Sequence, residues 1–273
     1  PNPLPPVAMN DQASALRGAA TQEALPQLPG FCVTGGKGGV GKTCVAVNLA
    51  VLLAASAGDA RPLLVDLDLG LANADLILGV DPAANLAEVV LAGRSLDSVI
   101  CESPLGVGLI PAASGVEALA NLGAQELHRL FTGLQRLGRS RAPVILDTPA
   151  GIGREVISAC RASRLTCVVL TPEPTALADA YALIKVLEQA EPGRDIRVIV
   201  NMARDQQDGQ LAFARLRAVA QKHLGRQLEL LGVVPRDEAV LTAVRRRQPI
   251  GPGPAQNALK GIAAKLRGIV WKS

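Results

Sequence analysis

The stretch Gly35-Gly36-Lys37-Gly38-Gly39-Val40-Gly41-Lys42-Thr43 decides the fold of this 273-residue chain. From Gly36 to Thr43 it fits G-x-x-x-x-G-K-[ST], the pattern of a loop that cradles a phosphate chain. Its flanks agree. Phe31-Cys32-Val33 before it reads as a short buried strand, and Val45 to Ala57 after it reads as a helix. Glycines let the backbone curl so that successive N–H groups face inward, and the positive end of the following helix adds to that field. In such a loop Lys42 reaches the β- and γ-phosphates and the Thr43 hydroxyl holds Mg²⁺.

Working outward, two further stretches place acids at strand ends. Pro62-Leu63-Leu64-Val65 runs into Asp66-Leu67-Asp68, two carboxylates one residue apart at the mouth of an open sheet, where α/β folds bind ligands. Pro143 to Leu146 is an apolar run ending in Asp147, the form of a buried strand that presents a carboxylate to Mg²⁺, followed by Thr148-Pro149-Ala150-Gly151. Ile196 to Val200, ending in Asn201, and Leu228 to Val234, ending in Pro235-Arg236-Asp237, read as later strands. Helices fall between: Asn85–Ala92 closed by Gly93, Gln125–Leu137, a segment opened by Thr171-Pro172-Glu173-Pro174-Thr175 with a stripe at Leu177, Tyr181, Ile184 and Leu187, and Asp205–His223. Strands alternating with helices imply a doubly wound, mostly parallel α/β sheet with helices on both faces.

Composition agrees with this. Nearly half the residues are hydrophobic but only 2% are aromatic, so the core is built from Ala, Val, Leu and Ile, as suits buried parallel strands. A net charge of +4 permits an anionic partner without requiring one. Cys32, Cys44, Cys101, Cys160 and Cys167 are scattered without a C-x-x-C pair and read as reduced thiols of a cytoplasmic protein. No apolar run approaches a membrane span. Residues 1–30 read as a flexible tail with a short helix near Asn10–Ala20 and a linker over 21–30, and residues 31–273 as the folded domain.

Lys37, a second lysine inside the loop, makes the stretch K-G-G-x-G-K-[ST] and so resembles the deviant Walker-A ATPases of the MinD and ParA class. Asp66 to Asn73, D-x-D-x-G-x-x-N, and Asp147 to Gly151, D-x-P-A-G, resemble that class's switch I and switch II segments. The resemblance implies an ATP-dependent homodimer in which Lys37 acts on the nucleotide of the other subunit. It implies that Asp66 and Asp147 bind Mg²⁺ through water beside Thr43, and that Asp68 orients the attacking water. Catalysis would then rest on Lys37, Lys42, Asp68 and Asp147. ATP would be held by Gly36, Lys37, Gly38, Gly39, Val40, Gly41, Lys42, Thr43 and Cys44, with Asn201, Pro235 and Asp237 around the adenine.

Asp11-Gln12-Ala13-x-x-Leu16-Arg17 and the run from Pro172 to Lys185 resemble the flagellar branch of the class, FlhG or FleN. In that branch the N-terminal motif docks on the GTPase FlhF. The resemblance thus implies Asp11, Gln12, Ala13, Leu16 and Arg17 as partner contacts, with a flagellar transcriptional activator or basal-body protein as further partners and no specific nucleic acid. A MinD-type division-site regulator and a ParA-type DNA-segregation ATPase are the alternatives. Arg245-Arg246-Arg247 reads as a solvated helix end or as an anion-binding patch. The final segment, with Leu259, Ile262, Leu266 and Ile269 on one face, reads as the last core helix or as an anchor at the inner membrane or cell pole.

Overall fold

The computed structural model describes residues 24–56, 61–68, 73–112 and 122–270. Strand β1 (Leu28–Thr34) starts ahead of the Phe31–Val33 run, because Leu28 is buried and Leu25 packs against the same core. The linker expected through residue 30 therefore ends sooner. After β1 come α1 (Lys42–Ser56), β2 (Leu63–Asp66), α2 (Ala74–Leu78) and α3 (Leu86–Ala92). The chain continues through β3 (Cys101–Glu102), β4 (Gly108–Ile110), α4 (Ala124–Leu137), β5 (Val144–Asp147), α5 (Arg154–Ala162) and β6 (Ser163–Leu170). The last part is α6 (Pro174–Ala190), β7 (Ile196–Ala203), α7 (Gln206–Leu224), β8 (Glu229–Pro235), α8 (Glu238–Arg245) and α9 (Pro254–Val270).

The strands form one sheet in the order β3-β4-β2-β5-β1-β6-β7-β8, parallel throughout except for β3, which runs antiparallel to β4 at the edge. Alternation along β1 builds both faces. Phe31 and Val33 point into a core shared with α1, α8 and α9, while Cys32 points into one shared with α4, α5, α6 and α7. Helix α1 is apolar almost all round, which suits a helix enclosed between the sheet and its neighbours. Caps end the helices where expected: Asn85 makes a capping box with Glu88, and Gly93 takes the left-handed conformation after α3.

Helix α9 lies on β8 and α1 with Leu259, Ile262 and Leu266 buried, so its apolar face serves the core. No helix among the described residues is long and apolar enough to cross a membrane. Cys32, Cys160 and Cys167 are buried, and all five cysteines are free, with the Cys32 and Cys160 sulfurs 3.7 Å apart.

Because β1 sits between β5 and β6 while the next strand, β2, lies beyond β5, the chain reverses direction across the sheet at β1. The crevice this opens at the carboxyl ends of the strands is where the phosphate loop emerges.

Candidate functional site

The loop leaves β1 at Gly35 and enters α1 at Lys42. Gly39 and Gly41 take φ +79° and +87°, so the sharp curl falls on residues without a Cβ. Val40 anchors the loop in the core, and Gly36 sits directly on the α6 backbone, where any Cβ would run into the Asp179 carbonyl. The loop's first turn is also tied to switch II, because Gly151 N–H donates to Gly35 O at 3.1 Å.

Parallel register then aligns the acids. Asp66 of β2 stands opposite Asp147 of β5, which in turn pairs with Val33 of β1. Asp147 is fully buried, and apart from the neighbouring Thr43 hydroxyl neither carboxylate oxygen has a hydrogen-bond partner among the described residues. Burial and then the Asp66 charge push its pKa well up, whereas the Thr43 hydroxyl and Lys42 ammonium pull it back. Asp66 accepts from Asp68 N–H at 2.9 Å and from Ala74 N–H, at the start of α2, at 3.4 Å. Its pKa is pushed up to about 7, chiefly by burial. Lys42 is buried too; desolvation lowers its pKa, opposed by Asp147 and Asp68.

An unpartnered, buried carboxylate is costly unless something positive completes it. Asp147 beside the Thr43 hydroxyl and Asp66 offers hard oxygen donors for a small divalent cation. Among the described residues no cluster of three or more acids, histidines or cysteines forms a cage that could hold a metal. Mg²⁺ binds through one or two carboxylates and completes its shell with water and substrate phosphates, so Asp147, Asp66 and the Thr43 hydroxyl suit it. The residues fit the ion.

The remaining residues fall as follows. Lys37 Nζ donates to Thr175 Oγ1 at 2.8 Å and pairs with Glu173 at 3.1 Å, so the second lysine is held by the opening turn of α6. Asn201, 7% exposed at the end of β7, donates from Nδ2 to the Val40 carbonyl at 2.9 Å. Pro235 lies beside it, paired with Ala203, and Asp237 spends both oxygens on helix starts, accepting from Ala239 N–H at 2.9 Å and Ala255 N–H at 3.0 Å. Cys44 lies in the first turn of α1 with its thiol pKa pushed up to about 11 by burial. Residues 69–72 of switch I and the Asp11–Arg17 motif lie outside the described residues.

Residues 31–250 match the CobQ/CobB/MinD/ParA nucleotide binding domain. The chain belongs to that family. It is 40% identical over 240 residues to the antiactivator FleN of Pseudomonas aeruginosa, covering 86% of this chain and 85% of FleN. It is 33% identical over 219 residues to the flagellum site-determining protein YlxH of Helicobacter pylori, covering 80% and 73%. Among solved structures it resembles the septum site-determining protein MinD of Pyrococcus horikoshii complexed with Mg-ADP, with TM-score 0.72, 26% identity, and 91% of this chain and 100% of that one covered. Family and fold make it a MinD-like P-loop ATPase.

Sequence reasoning had assigned no role to Glu173 and Thr175, or to Asn48. Asn48 joins α1 to the segment after α8 by donating to Cys44 O at 2.7 Å and accepting from Ile250 N–H at 2.8 Å. Glu173 and Lys37 are 136 positions apart, and no local pattern announces such a pair.

Proposed function

We propose that the chain is an ATP-driven switch regulating flagellar number or placement, working as a homodimer closed by ATP and reopened by hydrolysis. The observation that carries the enzymatic part is Asp147, a buried carboxylate with no partner among the described residues beyond the neighbouring Thr43 hydroxyl, set opposite Asp66 and near Lys42. The flagellar part rests on likeness to FleN and YlxH.

In this reading the loop N–H groups from Gly36 to Cys44 hold the phosphates and Lys42 neutralises the β- and γ-oxygens. Thr43, with Asp66 and Asp147 through water, would hold Mg²⁺, which supplies charge neutralisation at the phosphates when bound. Asp68 orients the attacking water, and ATP and water give ADP and phosphate. Asn201 and the Pro235–Asp237 loop contact the adenine. Lys37 leaves Glu173 and Thr175 on dimerisation and neutralises charge on the partner subunit's nucleotide, as an arginine finger does. Reopening on hydrolysis makes the output a timed change in partner binding. The partners are an FlhF-type GTPase, reached through Asp11, Gln12, Ala13, Leu16 and Arg17, and a flagellar transcriptional activator or basal-body protein.

Phosphate release with and without Mg²⁺ tests the catalytic part, with Asp68→Ala as the inactive control; ATP binding without Mg²⁺-dependent turnover would leave a nucleotide-gated scaffold instead. Expression in Pseudomonas aeruginosa lacking FleN tests the flagellar part, and failure to restore flagellar number would count against it. A peptide spanning Met9 to Gly18 should stimulate an FlhF-type GTPase, and its Leu16→Asp, Arg17→Ala version should not. ATP-dependent DNA binding that falls steeply with salt would favour the segregation alternative.

A further inference from the structure

The adenine-side residue Asn201 is placed against the phosphate loop. Its Nδ2 holds the Val40 carbonyl from 161 positions away, at 2.9 Å, in a setting where the side chain is almost fully enclosed. The next loop residue, Gly41, has φ +87°, and a Cβ there would collide with the same Nδ2. Met202 follows Asn201 with φ +56°, a left-handed conformation that a residue with a Cβ adopts only at a cost. The Met202 methyl lies 3.4 Å from where a Gly41 Cβ would be. Two consecutive residues at the end of β7, one of them strained, thus bear on two consecutive residues of the loop. Strain kept at such a point marks a position the surrounding structure over-determines.

Resting on the ATPase reading above, we infer that Asn201 is a positioning residue for the phosphate loop, coupling base occupancy to triphosphate binding. A primary amide has two N–H groups and one carbonyl oxygen. With one N–H on Val40, the second N–H and the oxygen are left for the base edge, so one rigid group serves both ends of the nucleotide. A base that orders this amide orders the Val40–Gly41 turn, and by linkage a bound triphosphate favours the base to the same extent.

The experiment uses a ligand with no base. Isothermal titration of the full chain, Asn201→Ala and Asn201→Asp with Mg²⁺ and inorganic tripolyphosphate should show both variants weakened roughly five- to tenfold, the loss of one net hydrogen bond. Tripolyphosphate affinity unchanged within about twofold, with binding of a non-hydrolysable ATP analogue weakened, would overturn the inference and leave Asn201 a reader of the base alone. Wild-type protein that binds neither ligand would overturn the ATPase reading itself. If the variants fail to fold, the side-chain amide ¹⁵N resonances of Asn201 in wild-type protein decide. They should move when tripolyphosphate is added, and resonances that stay fixed at saturation refute the coupling.

Discussion

Asp66→Asn should stabilise the nucleotide-free protein while abolishing hydrolysis, with a pH dependence that identifies the cause. The Asp66 carboxyl keeps its proton up to about pH 7 against an ordinary 3.8, first because it is buried and also because Asp68 lies near. The backbone N–H groups of Asp68, Ala74 and Asn73 offset only part of this. A folded-state pKa raised above the unfolded one means that the unfolded chain releases the proton first. Stability therefore falls as pH rises from about 4 to about 7 and stays low beyond. At 1.36 kcal/mol per tenfold in proton affinity, the loss is about 4 kcal/mol above pH 7. An asparagine carries no charge to bury but keeps one carbonyl where two oxygens served Asp68 and Ala74, which returns about 1 kcal/mol. The expected gain is about 3 kcal/mol at pH 8 and about zero at pH 4.5 by this reckoning. Urea unfolding without nucleotide or Mg²⁺ at the two pH values measures both. An equal gain at both values, or a loss at pH 8, would refute burial of the carboxylate as the source.

Other outcomes follow from the geometry and from the proposed function. Asp237→Ala removes the cap of α8 and the bond to the first turn of α9 together, and should cost about 2 kcal/mol in urea unfolding. Gly36→Ala drives a Cβ into the Asp179 carbonyl and should cost about 1–3 kcal/mol, whereas Gly38→Ala, with open space around it, should stay within about 0.5 kcal/mol. Lys37→Ala should keep ATP binding but lose at least about a hundredfold in turnover, from the role across the dimer proposed for it; Glu173→Gln, at an exposed pair, should change stability by less than about 1 kcal/mol.

Much of the fold was legible because it is written in short-range patterns. The loop glycines, the apolar runs into Asp66 and Asp147, and the helical spacing in α4 each occupy fewer than about two dozen consecutive residues, and each has one good local solution. The site was legible in part for the same reason, since each acid ends its own strand. Its binding partners within the fold were not. Glu173 and Thr175 sit in a helix-opening run that gives no hint of Lys37, and the Asp237 side chain looks like any helix cap until Ala255 is found on its other oxygen.

The order and type of the elements, the phosphate loop and the two strand-end acids were thus determined by the sequence itself, because propensity, periodicity and turn chemistry act over a few residues. Tertiary structure alone decided the rest. Bringing β5 between β1 and β2 set Asp147 opposite Asp66, while β6 and β7 on the other side of β1 brought α6 over Lys37 and Asn201 onto Val40. Those contacts span from about 80 to about 160 positions of chain. They come from how two faces of a sheet bury their apolar residues, a property of the whole packing that no single stretch encodes.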